Sequence, residues 1–118
     1  MSAVERMSTE DLQIIKECLD AAVSGPFFDD WEFGTLMGFT RDDIAAIAEA
    51  WPSFTESDVQ EDAVNGVLSN LLGYPHGYRR RWHEYCSATL EEITRVHARW
   101  RGEDDVNRRE QNNADGSS

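Results

Sequence analysis

Apolar residues recur at helical spacing in four stretches of the chain, and each stretch carries punctuation at its ends. From Thr9 to Ser24, Leu12, Ile15, Leu19, Ala22 and Val23 share one side of a helical wheel, widened by Ile14 and Cys18. Ser8 stands at the cap position with Asp11 three residues on, and Gly25-Pro26 stops the run. A second helix is predicted from Arg41 to Trp51, with Thr40 as cap, Asp43 at the third position and Pro52 at its end. Its stripe is Ile44, Ile47, Ala48 and Trp51.

The third helix is expected from about Asp58 to Gly73, after Ser57, with Gln60 completing a capping box. Val59, Ala63, Val64, Val67, Leu68, Leu71 and Leu72 sweep more than half of its circumference, the pattern of a central helix packed by several neighbours. The fourth runs from Leu90 to Arg101, opened by Thr89 and Glu92 and followed by Gly102. Ile93, Val96, His97 and Trp100 share its inner face, which makes His97 a core histidine. Two weaker segments complete the picture. Asp30 to Met37 reads as a short helix closed by Gly38, with Trp31, Phe33, Leu36 and Met37 mostly buried. Tyr78 to Cys86 reads as another, with Tyr78, Trp82 and Tyr85 on one side and an Arg80–Glu84 pair at i, i+4.

No stretch alternates with period two, so the predicted fold is all-α, a single domain of five or six short helices over residues 8–102. Residues 1–7 are expected to be a flexible lead-in, and the polar stretch 103–118 a disordered tail. Composition agrees with a globular chain: of 118 residues, 40% are hydrophobic, and no apolar run is long enough to span a membrane.

Charge changes the picture more. Acids number 23 against 11 Lys and Arg, for a net charge of −12. Residues 1–78 hold 15 of those acids and three bases (Arg6, Lys16, Arg41), whereas 79–118 hold eight of each. Such a surface repels phosphate backbones despite the Arg79-Arg80-Arg81 run, so direct nucleic-acid binding is not expected. It suits a basic protein partner instead. Met1–Glu10 has neither the basic nor the apolar region of a secretory signal. Cys18 and Cys86 are therefore expected as reduced, structural thiols in the cytoplasm.

Candidate chemistry concentrates in two places. Phe27-Phe28-Asp29-Asp30-Trp31-Glu32-Phe33 interleaves four aromatics with three carboxylates over seven residues. Aromatics flanked by acids suit a cationic ligand or an Arg/Lys-rich partner; the same residues also read as core plugs at a helix junction, with Asp29 or Asp30 capping the next helix. The loop Gly73-Tyr74-Pro75-His76-Gly77-Tyr78 presents His76 in a tight turn. The candidate binding residues are thus Asp29, Asp30, Trp31, Glu32, Tyr74 and His76. No metal or cofactor is implied: His83 and Cys86 at i, i+3 lack a second pair of ligands, and Asp58, Glu61 and Asp62 form a single acidic cluster. Nucleophile-elbow, phosphate-loop and zinc-protease motifs are missing from the sequence.

Three motifs, Phe27-Phe28-x-Asp30-Trp31-Glu32-Phe33, Leu71-Leu72-Gly73-Tyr74-Pro75-His76-Gly77 and Ala98-Arg99-Trp100, together resemble a pattern of small bacterial helical proteins to which no activity is attached. In that pattern proline stands at the position of Asp29. The resemblance implies a stand-alone cytoplasmic domain and supplies no cofactor or catalytic residue. The leading expectation is an acidic protein-interaction module of the inhibitor, immunity or adaptor kind. The alternative is a small-molecule pocket, with or without catalysis, between segments 27–33 and 73–78. Homodimerisation through an apolar helix face is compatible with both.

Overall fold

The computed structural model describes residues 3–53, 57–74, 77 and 79–102. Among them are six α-helices and one 3₁₀ segment, with no strand: α1 (Ala3–Arg6), α2 (Thr9–Ser24), α3 (Asp30–Met37), α4 (Arg41–Ala50), α5 (Ser57–Gly73), η1 (Arg79–Glu84) and α6 (Leu90–Trp100). The all-α reading holds. The tail 103–118, His76 and Tyr78 lie outside the described residues.

Three helices begin where local chemistry says they must. The hydroxyls of Ser8, Thr40 and Thr89 accept from the backbone N–H of Asp11, Asp43 and Glu92 at 3.0, 3.1 and 3.1 Å. Each of those carboxylates accepts in return from the N–H of its cap residue. These reciprocal boxes satisfy donors that the first helical turn leaves without a partner. At the fourth start the expected box falls on Ser57, whose side chain lies outside the described residues. α5 begins at Ser57, and Gln60 is buried with its amide donating to the Pro52 carbonyl at 2.9 Å.

Helix ends follow the same economy. Gly38 adopts φ +78° and returns its N–H to the Gly34 carbonyl at 2.9 Å, a left-handed cap that a side chain would strain. Trp51 leaves α4 rather than ending inside it, and its indole N–H donates to the Leu12 carbonyl at 2.9 Å.

The core lies where α2 and α5 cross the other helices. α2 packs on α4, α5 and α6, and α5 packs on α2, α3 and α6. Ile15, Leu19, Ile44, Ile47, Val64, Val67, Leu68, Leu71, Ile93 and Val96 are withdrawn from solvent there. Burying a Leu, Ile or Val side chain stabilises by about 1.5–3 kcal/mol, so this cluster supplies most of the driving force. Gly66 lets α5 approach α3, since a Cβ there would stand 3.2 Å from the Met37 carbonyl oxygen.

Two expectations are corrected. The described part of segment 1–7, expected as flexible, forms α1 against α6, with Ala3 and Met7 buried and Arg6 Nη2 donating to the Trp100 carbonyl at 2.6 Å. That guanidinium answers the negative end of α6, which a sequence reading of seven residues could not foresee. The second concerns the arginine run. Arg81, not Arg80, pairs with Glu84, at 2.6 and 3.1 Å, because η1 has three residues per turn and so aligns i with i+3. None of the described helices is long and apolar enough to cross a membrane.

Candidate functional site

The acidic-aromatic segment begins as a plug. Gly25 allows the turn: a Cβ there would meet the Ala21 carbonyl oxygen at 2.5 Å and the Phe27 ring at 2.8 Å. Phe27 and Phe28 are then driven inward and both are buried. Phe27 meets the edges of Trp82 and Tyr85 at centroid distances of 5.3 and 5.0 Å. Phe28 packs on Phe33 at 6.2 Å and on Tyr74 at 5.5 Å. Such tilted and edge-on pairs add about 0.5–1.5 kcal/mol each beyond burial.

Arg41 locks this turn, and sequence reasoning missed it. Nη1 donates to the carbonyls of Ala22 and Val23 at 3.1 and 2.8 Å, and Nη2 to that of Phe28 at 2.9 Å. The guanidinium carbon stands 4.5 Å from the Phe33 ring centroid, and Nη2 lies 2.9 Å from Asp30 Oδ1. A cation in the first turn of its own helix faces the wrong end of that dipole. The side chain instead turns back to the carbonyl end of α2, where a positive charge is favoured. One of only three bases in the acidic part, at a helix start, was the available signal.

The predicted residues divide into two groups. Glu32 and Tyr74 meet: the Tyr74 hydroxyl donates to Glu32 Oε2, and this bond, ahead of burial, pushes the Tyr74 phenol above its ordinary value. Segments 27–33 and 73–74 therefore touch, by direct packing of Tyr74 on Phe28 and Glu32. The other group faces solvent. Asp29 is the cap residue of α3 by position, yet its side chain makes no capping bond, and Asp30 is almost wholly exposed.

Trp31 is the departure. Expected to be mostly buried, it is 78% exposed and is the one large exposed hydrophobic among the described residues. Its position follows from helix geometry: Trp31 and Phe33 are about 200° apart on the wheel, so a short helix cannot bury both. Phe33 and Met37, one turn apart, took the inner face. The other three tryptophans are buried or half-buried, and each indole N–H reaches a backbone carbonyl: Trp51 to Leu12, Trp82 to Ala88 and Trp100 to Glu61. Beside Trp31, the start of α3 and the start of α4 enclose a shallow groove of about 520 Å³, lined also by Asp30, Gly34, Thr40, Arg41 and Asp42. An indole face beside carboxylates can stack on a guanidinium or ammonium while the acids bind its N–H groups.

Elsewhere, buried His97 Nε2 lies 2.8 Å from Asn65 Oδ1 and 3.3 Å from Ser69 Oγ, as a satisfied core histidine should. Among the described residues no group of three His, Cys, Asp or Glu is placed to hold a metal ion. No protein-family model, curated protein or solved structure matches the chain.

Proposed function

We propose that this protein is an acidic interaction module that binds a basic partner protein, with Trp31 as the anchor and Asp29, Asp30 and Asp42 as its charged rim. The reading rests on one observation: three tryptophans are packed and hydrogen-bonded, while the fourth is 78% exposed in the most acidic part of the chain. A large apolar side chain left in water contributes nothing to folding. It is, however, the residue type that most often dominates an interface once desolvated. The net charge of −12 supports a basic partner by attracting it over distance and penalising acidic competitors. A cytoplasmic location belongs to the same proposal.

The test is capture from native lysate on the immobilised protein, with Trp31→Ala in parallel and washes at low and high salt. A basic protein held by the wild type at low salt, released at high salt and lost with Trp31→Ala is the expected result. Equal capture by both proteins, or capture indifferent to salt, refutes the proposal.

A further inference from the structure

The two cysteines lie away from Trp31. Cys18 is on the inner face of α2 with no exposed surface, and Cys86 follows η1, also buried. The chain around them is clamped: Ser87 N–H and Oγ donate to the Glu17 carboxylate at 3.0 and 2.8 Å, and Trp82 Nε1 donates to the Ala88 carbonyl at 2.8 Å. Residues 17–18 and 86–88 are thereby held against each other. Both thiols are free, and each sits beside one end of that clamp, Cys18 next to Glu17 and Cys86 next to Ser87.

We propose that Cys18 and Cys86 are a peroxide-responsive dithiol that closes to an intramolecular disulfide, a modification site rather than two inert core residues. Their roles differ. The hydrogen bond from the Cys18 thiol, helped by the Ala88 N–H and opposed by burial, holds Cys86 below its ordinary value. That same bond, with burial, pushes Cys18 well above it. Cys86 is assigned as the attacking sulfur, which reacts as its thiolate, because Cys18 has no surface that peroxide could reach. It also lines a groove of about 350 Å³ with Trp82, His83 and Leu90, which gives a small peroxide a route in.

The Cys86 sulfur attacks one oxygen of hydrogen peroxide and the O–O bond breaks. This leaves a sulfenic acid on Cys86 and a hydroxide that takes up a proton to become water. The Cys18 sulfur then loses its proton and attacks the sulfenic sulfur; the S–O bond breaks, the S–S bond forms and a second water departs. Two thiols have given up two electrons and the peroxide has accepted them. The bond joins the segment after η1 to α2 across a long loop, so the oxidised chain should resist unfolding more than the reduced one.

The experiment treats the reduced full chain with hydrogen peroxide, alkylates the remaining thiols, and reads intact mass and non-reducing peptide maps. A monomer lighter by two hydrogen atoms, a Cys18–Cys86 cross-linked peptide, a higher thermal midpoint and reversal by dithiothreitol are expected. Alkylation of both cysteines after peroxide, oxygen addition without a cross-link, or a bond between chains overturns the proposal. In Cys18→Ser, Cys86 should be trapped as a sulfenic acid by dimedone. If that variant does not fold, the wild-type map decides alone.

Discussion

Replacing Arg41 by alanine tests whether one cation organises the junction of α2, α3 and α4. The side chain makes three charge-assisted bonds to carbonyls at 2.8–3.1 Å and covers the Phe33 ring. Bonds to charged groups contribute about 1.5–3 kcal/mol each, but three on one side chain are not additive. Arg41 retains about a quarter of its exposure, so water can reach some of the vacated carbonyls, and roughly 2 kcal/mol of rotamer entropy returns when the side chain is removed. With about 0.5–1 kcal/mol for the cation–π contact, the expected loss is about 3 kcal/mol. At a urea slope of about 1–2 kcal/mol/M, the midpoint should fall by roughly 1.5–3 M. Arg41→Lys keeps the charge but not the fork and should cost about half as much. Asp30→Asn should cost at most about 0.5 kcal/mol, because that carboxylate is almost fully in solvent. Urea titrations followed by circular dichroism read all three. If Arg41→Ala shifts the midpoint no more than Asp30→Asn does, the carbonyl cluster does not hold the turn and the reasoning fails.

Other substitutions probe separate features. Burial alone would raise the Asp11 carboxyl, but the bidentate contact with Arg99 at 2.7 and 3.0 Å and the Ser8 N–H outweigh it and hold it below its ordinary value. Its contribution is therefore complete above the ordinary aspartate range and is lost as pH falls through the lowered value. Asp11→Asn should cost about 1–2 kcal/mol at neutral pH, and thermal melts of the two proteins should converge in acid. Gly25→Ala should destabilise by about 1–3 kcal/mol in chemical denaturation, since its Cβ would collide with backbone, whereas Gly34→Ala, open to solvent inside α3, should stabilise by about 0.5–1 kcal/mol. Trp31→Ala should leave the unfolding free energy from thermal melts within about 0.5 kcal/mol of wild type, so that any lost binding reports on contact rather than on unfolding.

Much of the fold was legible because helix signals are local. Ser8 with Asp11, Thr40 with Asp43 and Thr89 with Glu92 act over three residues, and the stripes on α2, α4, α5 and α6 are properties of the wheel. The candidate residues were legible only as types. That Tyr74 would reach Glu32 across 42 positions depended on how α5 delivers its last turn to α3. The Arg81–Glu84 pairing turned on whether six residues formed an α-helix or a 3₁₀ helix, a choice their spacing leaves open.

The sequence by itself determined the fold class, the starts of α2, α4 and α6, the central place of α5 and the acidic charge. Each rests on neighbours within one or two turns, or on a simple sum of charges. Tertiary structure decided which aromatic of α3 would be covered, where Arg41 would spend its charge and that Glu17 and Ser87, the neighbours of the two cysteines, would meet. Those outcomes depend on which surfaces meet, and packing between distant segments is settled only when the whole core closes on itself.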